Sequence, residues 1–111
     1  MARILSNWVA EVSAEATDTA RRILALREHH RKVIADRLGR ASGNGHHVLE
    51  YLFGHPIVSI NAIVDLLDVT YAAANHLVGR LTTIRVFAEI TGQTRNRRFR
   101  YDPYIELFAD Q

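Results

Sequence analysis

Apolar residues recur along this chain at two spacings, and the spacings divide it into elements. Between Ala2 and Leu38, the residues Leu5, Trp8, Val9, Val12, Ala16, Ala20, Ile23, Leu24, Val33, Ile34 and Leu38 fall at helical intervals with no proline or glycine among them. That pattern predicts one long amphipathic helix. Thr17-Asp18-Thr19 is a place where a kink is allowed, because these side chains compete for local hydrogen bonds. At 1.5 Å per residue the segment spans on the order of 50 Å, roughly twice the width of a small domain of the remaining length. Part of its stripe is therefore expected to pack on something outside that domain, either a second copy of the chain or an upstream domain.

Gly39 fits a helix C-cap, and Ser42-Gly43-Asn44-Gly45 has the composition of a linker. His46 to Phe53 follows as a short helix with Leu49, Leu52 and Phe53 inward, ended by Gly54 and Pro56. Ile57 and Val58 can form a strand stub, and Ser59 is placed to cap the next helix. Ile60, Ile63, Val64 and Leu67 then recur at i, i+3, i+4 and i+7, and Ala74, Leu77, Val78 and Leu81 repeat the spacing. The connection Asp68-Val69-Thr70 is short enough to force a steep crossing, with Thr70 as the second cap. Phe87 to Ile90 and Arg98 to Tyr101 read as two strands of a hairpin whose connection contains Gly92. Phe99 and Tyr101 alternate with Arg98 and Arg100, which sends the aromatics inward and the arginines outward. Asp102 is expected to cap a last turn that contains Pro103 and extends toward Phe108. Helix, turn, helix and basic hairpin together predict a mainly α, α+β fold: a winged helix-turn-helix over residues 41–111, with a long helical extension over residues 1–40.

Composition narrows the function classes. The 48% hydrophobic content is enough for a modest core, and the net charge of +2 favours no partner by itself. The chain has no cysteine, which excludes disulfides, thiolate metal sites and a cysteine nucleophile. No apolar run approaches the roughly 18 residues of a membrane span, and the first residues do not read as a signal peptide, so a cytoplasmic location is expected. His29-His30 and His46-His47 are adjacent pairs, whose members point about 100° apart on a helix and cannot chelate one ion together. His46 and Glu50 share a face but make only two ligands. All four histidines are read as solvated, with no metal and no cofactor. Gly43-Asn44-Gly45 opens a helix and could bind an anion weakly, but it is read as an ordinary linker. No serine stands in a Gly-x-Ser-x-Gly elbow. Nothing in the chain points to catalysis.

The chemical signal is in the hairpin. Arg95, Arg97, Arg98 and Arg100 cluster there, where arginines can grip phosphates or enter a minor groove. With Ala74, Leu77, Val78 and Leu81 buried, the second helix of the pair would expose Tyr71, Asn75, His76 and Arg80. Asn75 suits adenine, Arg80 guanine or phosphate, and Tyr71 phosphate. These eight residues form the expected nucleic-acid face, with DNA as the partner.

Three stretches also resemble a known family. Trp8-Val9-Ala10-Glu11-Val12, Ala20 to Glu28 (ARRILALRE), and Thr91 to Arg97 (TGQTRNR) leading to Tyr101-Asp102 are similar to the C-terminal region of bacterial Fic-family proteins. In that region a helical segment and a winged helix follow a catalytic core. The resemblance implies a non-catalytic regulatory module attached to a core that transfers AMP from ATP to protein hydroxyls. The family's catalytic motif, His-Pro-Phe-x-x-Gly-Asn-Gly-Arg-x-x-Arg, is absent from this chain. The alternative is an interaction or dimerisation module that positions such a core through the N-terminal helix and does not bind DNA.

Overall fold

The computed structural model describes residues 2–92 and 96–109, with side chains described from Thr17 onward. Helix α1 runs unbroken from Ala2 to Leu38, through Thr17-Asp18-Thr19. The expectations placed on Leu5, Trp8, Val9 and Val12 concern side chains outside the described set. Gly39 takes φ +55, a left-handed conformation that favours glycine, and opens a single 3-10 turn over Gly39–Ala41.

Helix α2 spans Ser42–Leu52, which corrects the expected linker. Ser42 to Gly45 is the first turn of this helix, and Gly45 lets it approach α1 closely. A Cβ at Gly45 would sit 2.8 Å from Leu38 Cδ2 and 2.9 Å from Ile34 Cγ2. Gly45 is therefore a buried crossing point between α1 and α2, not a helix opening available to an anion. Val48, Leu49 and Leu52 face the core, while Phe53 is half-buried. On the outer side of the same crossing, the Glu50 carboxylate accepts from Arg27 Nε at 2.7 Å and lies 3.6 Å from Arg31 Nη1. Glu50 is thus engaged with arginines rather than with His46.

The helix pair follows its sequence pattern. Helix α3 covers Ile60–Leu67 and α4 covers Tyr71–Thr83. Ser59 Oγ and Thr70 Oγ1 each accept from the backbone N–H three residues on, at 3.1 Å, as the spacing predicted. Asp68 ends α3 in the left-handed region at φ 54. Ile60 and Ile63 are buried on α3, with Val64 and Leu67 half-buried; Ala74, Leu77, Val78 and Leu81 are all buried on α4. Helix α4 ends in a Schellman arrangement, in which Arg85 N–H reaches Thr82 O and Val86 N–H reaches Leu81 O, both at 3.0 Å.

Three short strands form one antiparallel sheet in the order β1 (Ile57–Ser59), β3 (Arg98–Arg100), β2 (Ala88–Glu89). The register pairs Val58 with Phe99 and Glu89 with Phe99. Phe99 and Tyr101 are buried, and Arg98 and Arg100 point outward, as alternation predicted. Asp102 does not cap the final helix α5 (Asp102–Glu106). It occupies the first helical position, with Tyr101 before it and Pro103 in the first turn, and its carboxylate accepts instead from Arg100 Nε.

The reading of His30 as solvated is overturned. His30 is 4% exposed, and its Nδ1 lies 2.6 Å from the Tyr101 hydroxyl. Leu26, His30, Ile34 and Leu38 form the inward stripe of α1, so the second half of the long helix is part of the core. Leu24, expected on the stripe, is 56% exposed. Among the other histidines, His29 and His47 are exposed. His46 is half-buried with Nδ1 enclosed and unpartnered, and the exposed His55 stacks on Tyr51 at 4.1 Å.

Two predictions follow from this packing. Gly45→Val is expected to destabilise by about 1–3 kcal/mol, because Ile34 and Leu38 must move. Gly43→Ala, on the open side of the same helix, is expected to stabilise by up to about 1 kcal/mol. Urea denaturation of both variants is the check, and equal effects would place the α1–α2 crossing elsewhere. Burial first, and the neighbouring His29 second, push His30 down from 6.5 to about 4. An unfolded chain therefore takes up a proton that the folded chain refuses, and stability falls as pH drops from about 6.5 to about 4. His30 is expected to account for about 1–3 kcal/mol of that fall. The measurement is the difference in pH-dependent unfolding between wild type and His30→Gln; parallel curves would exclude the assignment.

Candidate nucleic-acid interface

Helix α4 presents its outward face because the other face is committed to the core. Tyr71 is 49% exposed, and Ala72, Asn75, His76 and Gly79 are exposed along the same surface. Nothing lies within 4 Å of a Cβ at Gly79, so an approaching surface can come close to the backbone there. Ala72, Asn75 and Gly79 keep the middle of this face small, with the larger Tyr71 and His76 beside them.

The hairpin stands on one side of it. Gly92 and Asn96, the nearest described residues on either side of the tip, both adopt left-handed conformations, at φ 64 and φ 55. Thr91 ties the base of the turn: its Oγ1 donates to Glu89 Oε2 at 3.0 Å and accepts from Arg98 N–H at 3.3 Å. Ile90 N–H closes the ladder onto Arg98 O at 2.9 Å. Arg97 then folds across to the helix. Its guanidinium lies 5.7 Å from the centre of the Phe99 ring, and its Nη2 donates to Asn75 Oδ1. Arg98 borders a groove of about 500 Å³, formed with Asn61 at the start of α3, Tyr71 at the start of α4, and Asn96 and Arg97 on the hairpin.

The structure therefore brings Tyr71, Asn75, Arg97 and Arg98 together, with His76 one position along the helix. Arg80 and Arg100 have other engagements. Arg80 is half-buried and its Nη2 donates to the backbone carbonyl of Arg37 at 3.0 Å, at the end of α1. Arg100 is paired with Asp102. Arg95 lies outside the described residues. Asn61 and Arg37, which the sequence did not single out, border two separate grooves beside α4. Asn61 had a signal, since it is the polar residue of the first turn after the Ser59 cap. Arg37 had none, because only the packing of α1 brings it beside α4. No group of three histidines or carboxylates among the described residues is placed to hold a metal ion.

A helix pair joined through Thr70, followed by a hairpin whose Arg97 meets the second helix, defines a winged helix-turn-helix. Residues 46–100 match the model of a family described as HTH DNA binding domain, which supports a DNA-binding module. Comparison with curated proteins and with solved structures gave no match. None of these findings supports a relation to Fic proteins. Among the described residues, no helix is long and apolar enough to cross a membrane.

The Asn75–Arg97 contact predicts coupled effects on stability. Asn75→Ala and Arg97→Ala each remove the same hydrogen bond, so the double variant is expected to cost less than the sum of the singles by about 0.5–1 kcal/mol. A double-mutant cycle by chemical denaturation measures this, and strict additivity would show that the hairpin is not latched to the helix.

Proposed function

We propose that this domain binds duplex DNA, with α4 entering the major groove and the hairpin lying on the adjacent backbone. The observation that carries the reading is the shape and charge of one surface. The exposed face of α4 adjoins a groove where Tyr71, Asn61 and Arg98 converge, and Arg98 pairs with no carboxylate among the described residues. An amide, a phenol hydroxyl and a guanidinium around a groove suit phosphate oxygens. Asn75 and His76 are the side chains nearest to where base edges would lie. Because Asn75 is held by Arg97, base reading there is a property of the pair. Arg80 and Arg100, with internal partners, are positioning residues in this scheme rather than primary contacts.

The match to a DNA-binding helix-turn-helix family over residues 46–100 supports the same reading. A regulatory place after an AMP-transferring core has support only from the three sequence stretches that resemble Fic proteins. One observation favours a second role, self-association through α1: Leu24 is exposed on a helix that extends well beyond the core.

Fluorescence anisotropy with a labelled duplex, from about 50 to 200 mM salt, is the test, because phosphate contacts release counterions over this range. Arg98→Ala is expected to weaken binding to every duplex alike and to reduce the slope of log K against log salt by about 0.9. Arg100→Ala is expected to change the slope less, since its charge is already offset by Asp102. Absence of binding at the low-salt end, or an Arg98→Ala slope equal to wild type, would overturn the reading. Sedimentation of the same sample reports on the second role.

A further inference from the structure

We infer that the C-terminal end of α1 is a further arm of the interface, in which Arg37 contacts the phosphate backbone on the side of α4 opposite the hairpin. The inference rests on the DNA reading above and extends it beyond the hairpin and the helix pair.

The exposed face of α4 is walled on two sides. The hairpin forms one wall through Arg97 and Asn75. The end of α1 forms the other, bordering a groove of about 540 Å³ whose lining includes Arg37, His76, Gly79, Arg80 and Thr83. Among the described residues, none that lines it is acidic. A helix in the major groove has a sugar-phosphate backbone on both flanks, since the groove is only about 12 Å wide. A cation on each wall therefore meets a different strand.

The end of a helix is ordinarily a poor neighbour for phosphate. Its last carbonyls lack intrahelical partners and carry the negative end of the helix dipole. Here Arg80 removes the obstacle: its guanidinium covers the Arg37 carbonyl at 3.0 Å and fixes α1 against α4 in the same contact. The Arg37 side chain is exposed and pairs with no carboxylate among the described residues. Asp36 precedes it but points about 100° away around the helix. Arg80 is thus a positioning residue, and Arg37 the contact.

The test uses the full chain and a labelled duplex in the same salt series. Arg37→Ala is expected to lower the salt slope by about 0.9, and Arg37→Lys to keep it close to wild type. Lys32→Ala removes an exposed cation from a different face of α1, about 140° around from Arg37, and is expected to leave the slope unchanged. These substitutions are on the exposed surface of a helix, and circular dichroism confirms that each variant keeps its fold. A wild-type slope in Arg37→Ala, or an equal drop in Lys32→Ala, overturns this inference and leaves the DNA reading standing. Absence of binding by the wild-type chain overturns both.

Discussion

The buried contact between His30 and Tyr101 is the constraint that the rest of the fold accommodates. A phenol and an imidazole removed from water each cost free energy unless they are hydrogen-bonded. At 2.6 Å they satisfy one another, across 71 positions of sequence. Burial holds the imidazole neutral and pushes the phenol above its ordinary range, with Glu50 adding to the second effect. Tyr101 makes further contacts from the same place. Its N–H donates to Pro56 O at 2.7 Å, and its ring meets Phe53 edge-on and stacks with Tyr104. One residue thus joins α1, the end of α2 and the start of α5 through its side chain, and the entry to β1 through its backbone N–H. Moving α1 would leave a buried hydroxyl and a buried imidazole without partners, so the long helix is held in one position against the sheet.

That fixed position matters for the exposed face of α4. Because α1 is anchored at His30, Ile34 and Leu38, its end arrives beside α4, where Arg80 reaches the Arg37 carbonyl. The hairpin is anchored by the burial of Phe99 on β3 and of Tyr101 immediately after it, and arrives on the other side. The width of the surface between them is set by core packing and by the Arg80–Arg37 and Arg97–Asn75 contacts at its edges. Three of the cations around this surface are engaged by the domain's own groups, while Arg37 and Arg98 pair with no carboxylate among the described residues. Arg80 holds a carbonyl, Arg97 an amide and an aromatic face, and Arg100 a carboxylate. Side chains ordered in this way lose less conformational entropy on binding than free ones would, and part of their hydrogen-bonding capacity is already used. The arrangement favours positional definition over raw electrostatic attraction.

Local regularities of the sequence determined much of the architecture. The spacing of Ala74, Leu77, Val78 and Leu81 fixed the buried face of α4, and Ser59 and Thr70 fixed where α3 and α4 begin, because caps and helical faces depend on residues within a turn or two. Alternation at Arg98 to Tyr101 likewise fixed the two sides of β3. The tertiary structure alone decided the rest, and in each case the reason is a partner distant in sequence. His30 looked solvated beside His29 because nothing local reveals Tyr101. Gly45 looked like linker because glycine marks both loops and close helix crossings, and only the approach of Ile34 and Leu38 separates the two. Arg80 and Arg37, 43 positions apart, belong together through a contact between two helices. Periodicity shows which face of a helix turns inward; which residues meet across the core depends on how the elements pack.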